Sequence, residues 1–264
     1  LMAVELRNQL QRELEVTLPV STAYDYPSLR SIVQYALSIL GSPEGISHRP
    51  DFSTSIESHS ISVVGISSRI PGSTSSSTFW SLLRNAIHGI SLVPRERMDL
   101  LSVFSPDICK PGKSYVKHAG VVENIDSFDA DFFGIRPAEA GMMDPQQRML
   151  LEGVWEALEN AGIPPLSLRD TTTAVFSGSS PGDFSYLNSS HTSPYAIGGL
   201  AKSALSGRVS YEFGLTGPSI TVDTACSSSL VSLCLGCSVL MTGECEMALV
   251  CGVQSMLSSR MFVM

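Results

Sequence analysis

The sequence predicts an α/β layered fold behind a short helical segment. Three observations carry this. Strand-like and helix-like stretches alternate through the last third of the chain, as a sheet buried between helices requires. The run Met247–Cys251 is continuously apolar, as in a strand covered on both faces. Asp144-Pro145 is a good helix start and Gly162 a good stop, with Leu151, Val154, Trp155 and Leu158 between them at helical spacing.

Residues 1–40 read as two short helices. Met2, Leu6, Leu10 and Leu14 recur every fourth residue and form one apolar stripe. Pro19 closes that unit, and a turn-rich stretch from Ser21 to Pro27 leads into a second helix carrying Leu29, Ile32, Val33, Ala36, Leu37 and Leu40. Gly41 stops it. Two such helices bury too little to stand as a domain, so this segment reads as a remnant of a larger unit. Residues 41–59 hold Gly41-Ser42-Pro43, Gly45, Pro50 and scattered serines, the composition of a linker.

A second domain begins near Ser60. Ile61–Ile66 reads as a strand, followed by a Pro71-Gly72 turn, the low-complexity Ser73–Thr78 and a helix around Phe79–Ile87. Residues 95–140 are mixed and loop-rich. Beyond the helix ending at Gly162, a strand is expected near Thr173–Ser177 and a helix near Leu200–Glu212. Ser219–Asp223 then reads as a strand, Cys226–Met241 as a helix stopping at Gly243, and Met247–Cys251 as the next strand. No repeat of solenoid period is present. The chain opens at Leu1 inside an amphipathic pattern and closes inside the apolar Met261-Phe262-Val263-Met264, so a piece of a longer polypeptide is expected.

Composition narrows the function. With 43% apolar and 16% charged residues in 264, the chain has the makings of a packed core rather than a disordered segment. A net charge of −8 without a Lys/Arg cluster argues against nucleic acid or an anionic membrane as partner. No apolar run approaches the roughly 20 residues of a membrane span, and no basic start precedes an apolar core as in a signal peptide. Five of the six cysteines crowd between Cys226 and Cys251. A disulfide framework would spread them through a loop-rich secreted domain. Mostly buried free thiols in a reducing, cytoplasmic compartment are the simpler expectation.

One segment has the form of a reactive site: Val222-Asp-Thr-Ala-Cys226-Ser-Ser-Ser-Leu230. A strand feeds a tight turn that places Cys226 at a helix entrance. Free amide N–H groups and the positive end of the helix dipole would face the sulfur and favour thiolate, the nucleophilic form. The same amides could hold an oxyanion on an attacked thioester carbonyl. That points to acyl transfer through a covalent thioester. A buried structural cysteine satisfies the position equally well.

The other candidates carry less. Cys234 and Cys237 have C-x-x-C spacing but neither a second ligand pair nor a thioredoxin-like setting, and no metal is expected. They share a helical face with Leu230, Leu233 and Met241, which predicts core packing. Cys245 and Cys251 read as structural, and Cys109 is assigned nothing. His48, His59, His88, His118 and His191 fall in no catalytic motif. Asp223 could orient a neighbour, although an Asp between strand and helix is commonly structural. Gly178–Gly182 and Gly198-Gly199 lack the context of a phosphate loop.

Taken in order, these residues resemble a known family. From about residue 60 onward the chain is similar to the ketosynthase (β-ketoacyl synthase) domain of type I polyketide synthases. The resemblance rests on Ile61-Ser-Val-Val-Gly-Ile-Ser-Ser-Arg-Ile-Pro-Gly72, Phe128-Asp-Ala-Asp-Phe-Phe-Gly-Ile135, Met143-Asp-Pro-Gln-Gln-Arg148 with Leu150-Leu-Glu152, Gly217-Pro-Ser219, Asp223-Thr-Ala-Cys-Ser-Ser-Ser-Leu230, Gly243-Glu-Cys245 and Cys251-Gly-Val-Gln254. Three positions depart from the family's habit. Arg136 stands for Ser, Ser206 for Ala, and Val250-Cys-Gly-Val-Gln254 for Ala-Gly-Gly-Val-Asn. The first forty residues are similar to the C-terminal part of an acyl carrier domain, on Leu1-Met-Ala-Val-Glu-Leu-Arg-Asn8 and Tyr24-Asp-Tyr-Pro-Ser28.

The resemblance implies the first half of a thiolase-like αβαβα fold over residues 60–264, a linker over 41–59 and a carrier-domain remnant over 1–40. It implies Cys226 as the acyl-accepting nucleophile, followed by decarboxylative condensation with a malonyl-type extender. The family's two histidines and its second oxyanion donor would come from the second half, so the isolated fragment is expected to be inactive. A Cys rather than a Gln at 226 implies an extending synthase rather than a decarboxylating loading domain. Phosphopantetheine is implied on a carrier serine that would precede Leu1. The implied partners are carriers loaded with acyl and malonyl thioesters, and a second copy pairing through strands near Ser219–Asp223. A fatty-acid-type megasynthase fits the same motifs, and a truncated non-catalytic piece or dimerisation element remains the alternative. The carrier remnant argues against a thiolase or a cysteine hydrolase.

Overall fold

The computed structural model describes residues 2–14, 16–19, 22–26, 29–40, 60–180, 182–187 and 193–263, and divides into two units, 1–58 and 59–264. The linker expected at 41–59, with His48 and His59, lies outside the described residues, as does His191.

In the first unit α1 spans Met2–Leu14, α2 Thr22–Asp25 and α3 Leu29–Ile39. The short α2 replaces the expected plain turn, because Pro19 O accepts from both Thr22 N–H and its hydroxyl and closes a helical turn. Leu18 is the buried plug, held by Arg7 and Gln11 of α1. Among the described side chains of α3 only Ile32 and Ala36 are buried, while Val33 and Leu37 of the predicted stripe are exposed.

The second unit opens on a segment without helix or strand, then runs through α4 (Ser76–Arg84), β1 (Ile90–Leu92), β2 (His118–Gly120), α5 (Pro137–Ala140), α6 (Pro145–Ala161), β3 (Thr173–Gly178), α7 (Phe184–Leu187), α8 (Ala196–Leu200), α9 (Ala204–Phe213), β4 (Ser219–Val222), α10 (Ser228–Met241) and β5 (Met247–Gly252). β1 and β2 pair antiparallel; β2 lies inside the loop-rich region read at 95–140 and β1 just before it. β4, β3 and β5 form a parallel sheet in that order, as the strand–helix–strand alternation requires.

The sheet is covered on both faces. Val175 of β3 and Leu249 of β5 face a core built by Leu150, Leu151, Val154 and Leu158 of α6 with Leu205, Val209 and Phe213 of α9. On the other face Ala174, Phe176 and Cys245 pack with Leu235 and Val239 of α10 and with Ala248 of β5. All six residues of the central β3 are buried. β5 is only partly buried because it is an edge strand.

α6 has the ends read from the sequence. Asp144 Oδ1 accepts the Gln146 N–H at 2.9 Å, Pro145 occupies the first turn, and Gly162 caps the other end at φ +68°. Gln147 is fully enclosed. Its amide donates to Gly199 O at 2.9 Å and Gly198 O at 3.1 Å, and it accepts from Arg208 Nε at 2.9 Å. One side chain thus joins α6, α8 and α9.

Several expectations are corrected. Ile61–Ile66 forms no strand and makes no ladder bonds among the described residues, and Val63 is 82% exposed. The segment lies along α6, not in the sheet. Ile66 N–H donates to Asn160 Oδ1 at 3.0 Å, and Ser67 and Arg69 bond Glu156 and Glu152. Gly65 permits this contact, since a Cβ there would sit 2.3 Å from Ala157 O. The helix read at Phe79–Ile87 is α4, shifted towards the N-terminus because Ser75 and Thr78 form a capping box. The helix read as Leu200–Glu212 breaks into α8 and α9 between Leu200 and Ala204.

The expected core face of α10 is the largest correction. Leu230, Leu233, Cys234 and Met241 are exposed, and Leu230 is 65% so. The helix sits on the sheet through its small residues Ser228, Ser232 and Gly236, which are buried. A Cβ on Gly236 would lie 2.6 Å from Val250 Cγ2, and one on Gly178 of β3 would lie 2.5 Å from the Ser228–Ser229 backbone. Close approach, rather than side-chain bulk, selects which face turns inward. Cys245 is buried as expected. The Cys251 thiol, turned towards the α6 side of the sheet, is pushed up to about 12 by burial.

Candidate active site

β4 ends at Val222 and α10 begins at Ser228, and the chain reverses between them. Ala225 takes φ +54°, the left-handed region that a residue with a Cβ rarely adopts. Cys226 is the middle residue of a single 3₁₀ turn, Ala225–Ser227. The sequence places it in the first turn of the helix itself. The positive φ at Ala225 tightens the entry, so the α-helix starts two residues later.

Such a backbone costs about 1–3 kcal/mol and persists only where its surroundings hold it. Three side chains do so. Ser228 Oγ accepts Thr224 N–H at 2.9 Å and donates to Ala225 O at 2.7 Å. Ser227 Oγ donates to Thr224 O at 2.8 Å. Asp223 Oδ1 accepts Ala225 N–H at 3.2 Å, while its Oδ2 receives Lys202 Nζ. The lysine hydrogen bond, seconded by the Ala225 amide, draws the Asp223 carboxyl below the usual carboxylate range. Ser227 and Ser228 belong to the motif read from the sequence. Lys202 lies 21 residues upstream and carries no local signal.

Cys226 is exposed and its thiol is free. Its own amide N–H finds no acceptor among the described residues. An unpaired donor beside a nucleophile is what an oxyanion on an attacked carbonyl requires. Lys202 also lines a cavity of about 210 Å³ with Asp144, Gln146, Gln147, Ser179 and Leu205. Burial raises the Asp144 carboxyl. Of the remaining candidates, Cys109 sits in an exposed loop. His88 and His118 are exposed, and neither is bonded to the elbow.

One departure from the family's habit, Ser206, acquires a structural meaning here. Ser206 Oγ meets Thr221 Oγ1 at 3.0 Å, and Thr221 in turn meets Ser177 Oγ at 2.9 Å, so the added hydroxyl joins a buried relay between α9, β4 and β3. Arg136 precedes α5 and makes no side-chain cap.

The family model of the beta-ketoacyl synthase N-terminal domain matches residues 58–264. The chain belongs to the β-ketoacyl synthase family. The model of the phosphopantetheine attachment site matches residues 1–36. Among curated proteins the chain is similar to the pikromycin polyketide synthase component PikAII of Streptomyces venezuelae, 40% identical over 269 residues that cover 100% of this chain and 7% of that protein. It is also 40% identical over 256 residues to the mycoketide-CoA synthase of Mycobacterium tuberculosis, covering 96% of this chain and 6% of that protein. Among solved structures it is similar to the oxazolomycin ketosynthase domain OzmH KS7 of Streptomyces albus JA3453, with TM-score 0.69 and 35% identity over 76% of this chain and 36% of that one. The ketosynthase from module 6 of the bacillaene synthase of Bacillus subtilis 168 gives TM-score 0.69 and 33% identity over 76% and 33%. The ketosynthase domains of polyketide synthases are its kind within the family, and the fold is their thiolase-like α/β architecture. The chain spans less than a tenth of those curated relatives and about a third of the solved chains.

The carrier match raises the question of the phosphopantetheine arm, which is held as an ester of a serine. The match at residues 1–36 implies such an arm on the carrier domain, and no step is routed through it. Among the described residues no helix is long and apolar enough to cross a membrane.

Proposed function

We propose that Cys226 is the acyl-accepting nucleophile of a ketosynthase that extends acyl chains by decarboxylative condensation. The observation that supports it is the elbow: an exposed thiol, in a turn between a parallel strand and a helix, beside an amide N–H with no acceptor among the described residues. Exposure favours reactivity over packing for this cysteine. In the loading step the Cys226 sulfur forms a bond to a thioester carbonyl carbon and the incoming thioester's C–S bond breaks. The Cys226 proton ends on the departing thiol. In the condensation step a malonyl-type extender loses its carboxylate as CO₂. The electron pair left behind forms the C–C bond to the acyl carbon, and Cys226 leaves as thiolate. The acyl group is therefore transferred, which makes the reaction an acyltransferase one.

The partners in this reading are carriers bearing acyl and malonyl thioesters. The matches at 1–36 and 58–264 support a division into a carrier remnant (1–40), a linker (41–59) and the N-terminal half of a ketosynthase (60–264). β4 is an edge strand with Ser219 and Ile220 exposed, which supports homodimer pairing along it. Six free cysteines support a reducing, cytoplasmic setting. The exposed apolar row of α10 favours a second reading for the chain taken alone, a piece without activity until further ketosynthase residues cover that row.

The test is Cys226→Ala in the full-length protein. Transfer of a radiolabelled acyl group from a loaded carrier should be lost, by about 10³-fold or more. Undiminished loading would overturn the assignment.

A further inference from the structure

The mechanism above uses Cys226 and the neighbouring amide, and leaves one charged group at the elbow unexplained. Lys202 is the sole cation ion-paired there among the described residues. It stands in the short connection between α8 and α9, and it reaches across to Asp223 at the end of β4. Asp223 has two oxygens with two tasks: Oδ2 takes the lysine and Oδ1 takes the Ala225 N–H at 3.2 Å. Ala225 is the residue at φ +54° and immediately precedes Cys226. Asp223 is itself exposed, so nothing but its partners fixes its rotamer.

The serine clamps act differently. Ser227 and Ser228 close the turn from the helix side, and each bonds within the turn itself. They fix the shape of the loop. Among the described residues, only the Lys202–Asp223 pair ties the loop by a side-chain bond to another part of the scaffold, the connection leading into α9, whose Leu205 and Val209 are buried in the core.

We infer that Lys202 is a positioning residue for Cys226: by holding Asp223 it pins the Ala225 amide and aims the Cys226 thiol and N–H at the incoming thioester. The inference rests on Cys226 being the acyl acceptor. Lys202 touches no reacting atom in this account. Its contribution is geometric, and small misplacements of a nucleophile are costly. Because the pair is partly exposed, salt screens it. The acylation rate should therefore fall as ionic strength rises, and should do so only while the lysine is present.

The test uses the full-length protein and the hexanoyl thioester of N-acetylcysteamine, with acyl-Cys226 measured by mass. Lys202→Met should lower the maximal acylation rate about tenfold with KM unchanged, and abolish the salt dependence. Lys202→Arg should restore most of the rate, because a cation again reaches Asp223. Lys202→Met with Asp223→Asn should be no slower than the slower single variant, as for groups acting through one contact. The pH midpoint for alkylation of Cys226 by iodoacetamide should not move. An unchanged acylation rate in Lys202→Met overturns the inference. So does a loss confined to KM, which would make the lysine a thioester contact. So does a moved alkylation midpoint, which would make it an electrostatic activator of the thiol. Cys226→Ala runs beside these variants. If that protein still acquires the hexanoyl group, the reading of Cys226 itself fails, whatever Lys202 does.

Discussion

Helices α6 and α10 cover opposite faces of the same sheet by opposite means. α6 carries its own instructions: an Asp cap, a proline in the first turn, bulky Leu150, Leu151, Val154 and Leu158 on one face, and a left-handed glycine at the end. α10 has no side-chain cap and is apolar nearly all round. It is seated by what its surface lacks, with Ser228, Ser232 and Gly236 turned inward and Gly178 beneath its first turn. A helix held by bulk is legible from periodicity. A helix held by close approach is not, because the small residues that turn inward form no hydrophobic stripe and the apolar row that periodicity reads faces outward.

Cys226 lies in the turn that leads into α10, and the low seat of α10 against β3 fixes where that turn ends. Breaking that approach should have the largest effect. Gly178→Ala puts a Cβ about 2.5 Å from the Ser228–Ser229 backbone, which cannot yield as a flexible side chain would. Destabilisation by about 3 kcal/mol or more is expected, read as a fall in Tm, together with loss of Cys226 acylation. An unchanged Tm would show that α10 is not seated by this contact.

At the α6 end a polar exchange should be mild. Asp144→Asn keeps the capping oxygen for Gln146 N–H and removes a carboxylate whose charge burial disfavours. The Asp144 carboxyl is raised in the fold, so its ionised form weighs against folding above the ordinary carboxylate range. That cost disappears once pH falls below the unfolded value. The Asn variant should match or slightly exceed the parent at pH 7, within about 1 kcal/mol, and the gap should close on acidification. Denaturant midpoints at pH 7 and pH 3.5 measure it. A large loss at pH 7 would show that the charge itself, and not the cap, holds α6.

Much of the layered half was legible. β3, β4, β5 and α6 fall where alternation, apolar runs and cap residues place them. The misreadings share a cause. Ile61–Ile66 has the composition of a strand, but pairing depends on a neighbour that local sequence does not name, and here Asn160 takes the Ile66 N–H while Glu152 and Glu156 hold the following Ser67 and Arg69 along α6. The α10 row of Leu230, Leu233, Cys234 and Met241 is a helical face, but periodicity says only that residues share a face, not which face turns inward. At the site, Cys226 and its serines were readable because they are contiguous. Lys202 was not, because only the fold brings it to Asp223.

The most direct measurement is the distribution of acyl label among the cysteines. Three cysteines are exposed, Cys109, Cys226 and Cys234, so exposure alone does not distinguish them. The full-length protein would be treated with a limiting amount of hexanoyl thioester, then digested and mapped by mass. The elbow geometry predicts label on Cys226, with Cys109 and Cys234 unmodified. Equal labelling of the three, or label on Cys234 in preference, would contradict the claim that the strained turn at Ala225 makes a nucleophile of Cys226.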